Sequence, residues 1–90
     1  MRVKVHLYST LRRYADGRGV VDARGTSVGE CLEDLARRYP RIAPLLFDEH
    51  GALLEKVFVS INLESACRET ASTPVAENDE LYVILIVAGG

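Results

Sequence analysis

LYVILIVAGG, residues 81–90, is the stretch of sequence that decides the fold. Its first six residues are apolar at nearly every position, which predicts a central β-strand covered on one face by a helix and on the other by a partner. Glycines end the stretch, although glycine adds no packing and loses more backbone entropy on ordering than any other residue. We therefore expect Gly89 and Gly90 to serve a chemical purpose. The alternative is a frayed or truncated terminus, because chain ends are poorly ordered by default.

A carboxylate that follows two residues without Cβ atoms has a distinct chemistry. Such a tail can pass through a channel too narrow for side chains and present its carboxylate, ionised above about pH 4, to a bound nucleotide. Attack of this carboxylate on the α-phosphate of ATP would give an acyl-adenylate, which a sulfur donor or an amine could open. The reacting group is therefore predicted to be the carboxyl group of Gly90.

The first quarter of the chain predicts a hairpin. Apolar and polar residues alternate from Val3 to Tyr8, as in a strand with one buried face. A turn signal follows at Asp16–Gly19, and a second short strand is expected at Val20–Ala23. The residues between these strands predict a short helical turn with Ser9 as its cap.

The clearest predicted element is a helix that begins at Ser27. Ser27 and Glu30 have the spacing of a capping box, in which each side chain satisfies a free backbone N–H group of the other residue. Pro40 is expected to end the helix. One apolar stripe at helical spacing is formed by Val28, Cys31, Leu32, Leu35, Ala36 and Tyr39.

The segment Arg41–Lys56 is the least regular part of the sequence, with a turn predicted at Asp48–Gly51. Alternation resumes at Val57–Asn62, which predicts a third strand with Phe58 exposed on its outer face. A short polar strand is expected at Ala66–Glu69. Three apolar residues of the irregular segment are expected to lie under the sheet edge, namely Ile42, Leu45 and Leu46.

This order of elements predicts an α+β fold of the β-grasp type. We expect one domain over residues 1–90, with a mixed four- to five-stranded sheet, one main helix packed on one face and a flexible tail at residues 87–90. The helix supplies the crossover that would make the last strand parallel to the first.

Composition excludes several classes of function. The net charge of -2 over 90 residues gives no basis for binding nucleic acid or an anionic membrane. The start of the chain does not resemble a signal peptide, and no apolar run approaches about 18 residues, so a cytoplasmic protein is expected.

Metal and thiol chemistry are also not expected. Cys31 and Cys67 have no metal-ligand spacing; the first is interpreted as a core residue and the second as non-catalytic. His6 and His50 are interpreted as solvated surface groups.

A docking surface is a second prediction from the residues. Phe58, Ile84 and Ile86 would form an apolar patch larger than a single exposed residue, of the kind that marks a partner. The alternative is that the segment Arg41–Leu54 folds back over this patch and covers it.

Four stretches of the sequence carry a resemblance to a known family. They are Tyr8–Arg12, the strand and turn Val59–Asn62, the strand entry Asn78–Leu81 and the ending Val87–Gly90. In these stretches the chain resembles the ubiquitin-like sulfur carriers, a family that includes the small subunit of molybdopterin synthase (MoaD), the thiamine carrier ThiS and the cysteine-synthesis carrier CysO.

The chain is longer than thiamine carriers, and its insert at Phe47–Leu54 resembles carriers of the CysO type. Two features depart from the family pattern. Leu85-Ile86 stands where members of the molybdopterin branch commonly have proline, and Leu63 occupies a turn position where glycine or aspartate is usual. The departures weaken the choice of a pathway and leave the predicted fold unchanged.

The resemblance implies a carrier that is not itself an enzyme and binds no cofactor. An adenylating enzyme of the MoeB/ThiF type would use Mg-ATP to activate Gly90, and sulfur would then replace AMP to give a thiocarboxylate. Gly89 would allow close approach in the enzyme channel, and Val87 and Ala88 would guide the extended tail.

The sulfur would pass to an accepting enzyme such as the molybdopterin synthase large subunit. The chain would then serve molybdopterin biosynthesis or a related cofactor or cysteine pathway, and could form the small subunit of a molybdopterin-synthase-type sulfurtransferase. Two alternatives remain open. One is a ubiquitin-like modifier joined to lysines through Gly90, and the other is a β-grasp interaction domain with no activated terminus.

Overall fold

The computed structural model describes residues 1–8, 10–63 and 71–86. Four strands and three helices are assigned in this part of the chain, together with a 3-10 turn at Pro40–Ile42. In chain order the elements are β1 Arg2–Leu7, α1 Thr10–Arg13, β2 Val20–Arg24, α2 Val28–Arg38, α3 Ala43–Leu46, β3 Val57–Ile61 and β4 Glu80–Leu85.

The four strands form one mixed sheet in the order β2-β1-β4-β3. β1 pairs antiparallel with β2 and parallel with β4, and β3 pairs antiparallel with β4. The predictions of a central last strand and of its parallel pairing with the first strand are therefore confirmed. The predicted strand at Ala66–Glu69 and the predicted cap Ser9 lie outside the described residues.

Alternation along the strands separates an inner face from an outer face. Val3, Val5 and Leu7 of β1 are fully buried, whereas the residues between them are less buried or exposed. The inner face packs with α2, α1 and the segment after α2 into a single core. The core members contributed by α2 and the following segment are Val28, Cys31, Leu32, Leu35, Ile42 and Leu46.

The helix α2 begins where the capping box predicted. The backbone N–H of Glu30 donates to Ser27 Oγ at 3.2 Å, and the helix ends at Arg38, before Pro40. The reciprocal contact differs from the prediction, because Glu30 Oε1 accepts from the backbone N–H of Thr26 at 2.8 Å and from its hydroxyl at 2.9 Å. The Thr26 backbone donor, and then its hydroxyl, lower the pKa of Glu30 from its ordinary value.

We expect Ser27→Ala to destabilise the domain by about 1 kcal/mol, because the Glu30 N–H at the helix start loses its acceptor. Urea unfolding followed by circular dichroism would measure the change. Ser27→Asp is the matched control, since aspartate also caps a helix start, and it should retain nearly all of the stability. An equal loss in both variants would contradict the capping role.

The segment after α2 is more regular than the sequence indicated. The 3-10 turn and α3 place Ile42 and Leu46 at full burial in the core, as expected, and Leu45 is partly buried against it. The turn predicted at Asp48–Gly51 is confirmed; Asp48 Oδ1 accepts backbone N–H groups of His50 and Ala52 at 2.8 and 3.0 Å. The helical turns were missed because elements of three and four residues are too short to show a period.

Side chains of α2 bond to the outer backbone edge of β2. Asp34 Oδ2 accepts the backbone N–H of Arg24 at 3.1 Å, and the guanidinium of Arg38 donates to the carbonyl oxygen of Asp22. Asp34 also pairs with Arg37 at 2.8 Å and with Arg38 at 3.3 Å. Burial acts to raise the pKa of Asp34, but the hydrogen bonds from Arg37 and the Arg24 N–H and the nearby arginine charges outweigh it, so the pKa is lowered.

The longest helix, α2, has 11 residues. In the part of the chain that the structure describes, no helix has both the length and the apolar character of a membrane span.

Candidate functional site

The predicted reactive tail follows the end of β4 in the chain. The last described residue, Ile86, donates its backbone N–H to the carbonyl oxygen of Lys56 at 2.7 Å, which holds this end of β4 to the start of β3. The predicted site residues Val87, Ala88, Gly89 and Gly90 lie outside the described residues. The structure therefore fixes the point from which the tail starts.

An exposed apolar surface lies beside this point on the outer face of the sheet. Ile84 is 42% exposed and Ile86 is 53% exposed, as the sequence predicted. Phe58 is the cross-strand partner of Ile84. Its side chain is half-buried, so the prediction that it is exposed was wrong. Tyr8 is also exposed, and continuation of the β1–β4 register places it on the other side of Ile84. We call Tyr8, Phe58, Ile84 and Ile86 the apolar patch.

The segment that the sequence offered as a cover does not lie over the apolar patch. Leu45, Phe47, Leu53 and Leu54 of this segment pack against the core, which lies on the inner side of the sheet. Ile84 remains exposed on the outer side. The exposure of Ile84 is compatible with the prediction that a partner covers the second face of β4.

A stacked pair of rings continues the outer face from the apolar patch toward the start of β4. His6 and Tyr82 are register partners, and their rings stack with centroids 4.2 Å apart and an angle of 12° between the planes. His6 Nε2 lies 2.7 Å from Glu80 Oε1. Desolvation, then the charge of Glu80 and the presence of Tyr8, raise the pKa of the Tyr82 hydroxyl, which favours its neutral form.

The interpretation of His6 as a solvated group was therefore wrong, because its ring is half-buried and paired on both sides. Tyr8, Tyr82 and Glu80 were not singled out as site residues from the sequence. Their signal was present in the strand alternation, which places Tyr82 on the same face as Ile84. The cross-strand contact with His6 required the register of two strands that are far apart in the chain.

Two of the motifs that carry the family resemblance, Val59–Asn62 and Asn78–Leu81, meet at the corner between β3 and β4. Asn62, with a φ of 55°, accepts the backbone N–H of Glu80 at 2.8 Å and donates to Asp79 Oδ1 at 3.1 Å. Asp79 Oδ2 in turn accepts the backbone N–H of Ala76 at 2.8 Å. This network fixes the entry into β4, and thereby the register that carries Ile84 and the tail.

The described cysteine and histidines offer no nucleophile or metal ligand set. Burial raises the pKa of the Cys31 thiol to about 11, so the group is protonated and enclosed in the core, as predicted. His50 is exposed beside Glu49, also as predicted, and Cys67 lies outside the described residues. Over residues 1–8, 10–63 and 71–86, no three His, Cys, Asp or Glu side chains are grouped as a metal site would require.

Comparison with known proteins decides the family. The model of the ThiS family matches residues 5–90, nearly the whole chain. This chain belongs to the ThiS family. The match extends through the tail residues, and the comparison with curated proteins gives no match.

Solved structures agree with the assignment to the ThiS family. SAMP1 from Haloferax volcanii has a TM-score of 0.86 and 25% identity, with 100% of each chain covered. A chain of the Amycolatopsis orientalis BexX/CysO complex has a TM-score of 0.82 and 29% identity, with coverage of 98% of this chain and 99% of the other. Mycobacterium tuberculosis CysO has a TM-score of 0.81 and 27% identity, with coverage of 94% and 99%.

These similarities confirm the β-grasp, ubiquitin-like fold that was predicted from the order of elements. The ThiS-family chain is thus a member of the ubiquitin-like carriers and modifiers, and the resemblance stated from its sequence motifs is confirmed at this level.

Proposed function

We propose that this chain is a sulfur carrier whose Gly90 carboxylate is adenylated and then converted to a thiocarboxylate. The observation that supports this most directly is the ThiS-family match, which includes the tail residues through Gly90 itself. In the first step, a carboxylate oxygen of Gly90 attacks the α-phosphorus of ATP and pyrophosphate leaves. In the second step, hydrosulfide attacks the acyl carbon, AMP leaves, and the thiocarboxylate remains after loss of one proton.

The chain's own residues contribute position and recognition to these steps. The four residues beyond Ile86 span about 13 Å when extended, so Gly90 can reach a reaction centre about that far from the apolar patch. Gly89 adds no side chain to this tail, and Val87 and Ala88 are the residues that we expect to guide it into the channel. ATP and Mg²⁺ are substrates held by the adenylating enzyme.

The apolar patch is the proposed docking surface for the enzymes of the cycle. Phe58, Ile84 and Ile86 lie on one face of the sheet, and the tail follows Ile86 in the chain, so a single partner can contact the patch and the tail together. We propose an adenylating enzyme of the MoeB/ThiF type and a sulfur-accepting enzyme as successive partners. The receiving route is proposed to be molybdopterin biosynthesis or a related cofactor or cysteine pathway, in keeping with the structural similarity to CysO.

Intact mass spectrometry tests the carrier function. After incubation with Mg-ATP, an adenylating enzyme and sulfide, we expect a mass gain equal to exchange of one oxygen atom for sulfur. The gain should be lost when Gly90 is deleted, and it should disappear on alkaline hydrolysis of the product. Full adenylation without any sulfur uptake would contradict the carrier assignment.

A protein modifier is the second candidate, and the similarity to SAMP1 favours it. Small archaeal modifier protein 1 of Methanosarcina acetivorans also matches, with a TM-score of 0.80 and 28% identity. The same adenylate would then be opened by a lysine amine, giving an isopeptide bond. Peptide mapping that finds lysines of other proteins joined by an isopeptide bond to a peptide ending in Gly90, with no thiocarboxylate, would assign the chain to this class.

A further inference from the structure

A cleft of about 350 Å³ lies at the start of β1, between the β2 edge of the sheet and α2. It is lined by Arg2, Asp22, Arg24, Asp34 and Arg38. β1 and β4 are parallel and Lys4 pairs with Glu80, so this end of the sheet is opposite to the end from which the tail leaves. Arg2 lies six residues before the level of Ile84 along β1, and Ile86 lies two residues beyond that level, which together correspond to about 26 Å along the strands.

Two arginine side chains of this cleft lie directly opposite each other on neighbouring strands. Arg2 and Arg24 are register partners on antiparallel strands, and both are exposed. Like charges in directly opposite positions destabilise a sheet. Among the described residues, the ion pairs include neither of these two guanidinium groups.

Three carboxylates of the described residues lie near the pair, and none of them forms an ion pair with Arg2 or Arg24. Asp34 is paired with Arg37 and Arg38, and Glu77 accepts the backbone N–H of Arg2 at 3.1 Å. Asp22 is the register partner of Lys4. The guanidinium groups of Arg2 and Arg24 are thus the cations of this cleft that remain free to receive an external anion.

We propose that Arg2 and Arg24 form a docking site for an acidic peptide segment of a partner protein. Guanidinium groups bind carboxylates through paired N–H donors, so two adjacent arginines fit successive Asp or Glu side chains. A binding partner would also remove the repulsion between the two arginines. Nucleic acid fits less well, because its binding depends on contacts to many phosphates, whereas this cleft offers two free guanidinium groups.

The position of this site separates it from the apolar patch. A partner bound at the arginine pair leaves Ile84 and Ile86 at the end of β4 uncovered, so it can stay bound while Gly90 reacts. This last consequence rests on the proposed function, whereas the docking site itself does not.

Fluorescence anisotropy with a labelled hexaglutamate peptide tests the site, at about 50 mM and about 300 mM salt. The double variant Arg2→Gln/Arg24→Gln should bind the peptide roughly tenfold more weakly or worse at low salt. The matched control Arg13→Gln/Arg18→Gln makes the same change of charge at two exposed arginines outside the cleft, and it should bind almost as well as the original chain. Equal weakening in both double variants would show nonspecific charge attraction and overturn the proposal.

Thermal unfolding distinguishes a docking role from a structural one, because removal of a stabilising pair would lower the melting temperature. Removing the opposed charges should leave the melting temperature of the Arg2→Gln/Arg24→Gln variant unchanged or slightly raised. A clear fall would mean that the pair stabilises the domain and would contradict the proposal. Tighter binding of tripolyphosphate than of hexaglutamate would contradict a peptide ligand and assign the cleft to phosphate compounds. None of these measurements depends on activation of Gly90, so failure here leaves the carrier function untouched.

Discussion

Gly89→Val is expected to lower the rate of Gly90 adenylation by roughly 100-fold or more, because a misplacement of the reacting group by about 1 Å has an effect of this size. The branched side chain would enlarge the tail at the residue next to the reacting carbon, where the proposed channel admits only backbone. The domain should keep its fold, because the core is built from residues of the strands, α1, α2 and the segments between them. Pyrophosphate release with Mg-ATP and the adenylating enzyme measures the rate, and circular dichroism verifies the fold.

Ala88→Val is the matched control for this experiment. It adds bulk at the preceding residue, which already carries a Cβ atom, and we expect a much smaller effect there. Adenylation of Gly89→Val at the original rate would show that no narrow channel surrounds the tail. Equal losses in the two variants would place the restriction on the whole tail instead of on Gly89.

Ile84→Asp should weaken binding to the adenylating enzyme by about 2 kcal/mol or more, which is roughly 30-fold in the dissociation constant. Ile84 lies between Phe58 and Tyr8 on the outer face, so a carboxylate there would be desolvated against a docked partner without an ion-pair partner. Its exposed side chain faces away from the core, and the free energy of unfolding should change little. Isothermal titration calorimetry with the enzyme and urea unfolding of the free chain measure the two quantities.

Leu63→Asp provides the control for the loss of an exposed apolar side chain. Leu63 is 66% exposed and lies at the corner after β3, away from Ile84, and its φ of 58° suits aspartate at least as well as leucine. Binding should be almost unaffected in this variant. Phe58→Asp should weaken binding as Ile84→Asp does; unchanged affinity in both, with the fold intact, would remove the apolar patch from the docking model.

The fold was predictable from the sequence because its main signals are local. The alternation in β1, the capping residues Ser27 and Glu30 and the apolar run of β4 each report a structure through neighbours a few residues apart. The parallel pairing of β1 with β4 followed from the helix between them, since a parallel pair needs a crossover. The helix α3 was not predicted, because its four residues are too few to show a helical period.

Only those features of the candidate site that depend on sequence order and strand alternation were predictable. The tail and the exposure of Ile84 and Ile86 follow from sequence order and strand alternation. The half-burial of Phe58 and the pairing of His6 with Tyr82 and Glu80 depend on contacts between strands, which alternation alone does not provide. The opposition of Arg2 and Arg24 likewise requires the exact register of the hairpin, which its 12-residue connection does not specify.

The two hydrogen bonds from α2 to the edge of β2 also affect whether the domain aggregates at high protein concentration. An unpaired strand edge is a template for pairing with the strand of another molecule, and such pairing is a common first step in aggregation. Asp34 and Arg38 already occupy the N–H group of Arg24 and the carbonyl oxygen of Asp22 in the middle of that edge. An incoming strand would have to break both contacts, so self-association through β2 is opposed by the same side chains that join α2 to the sheet.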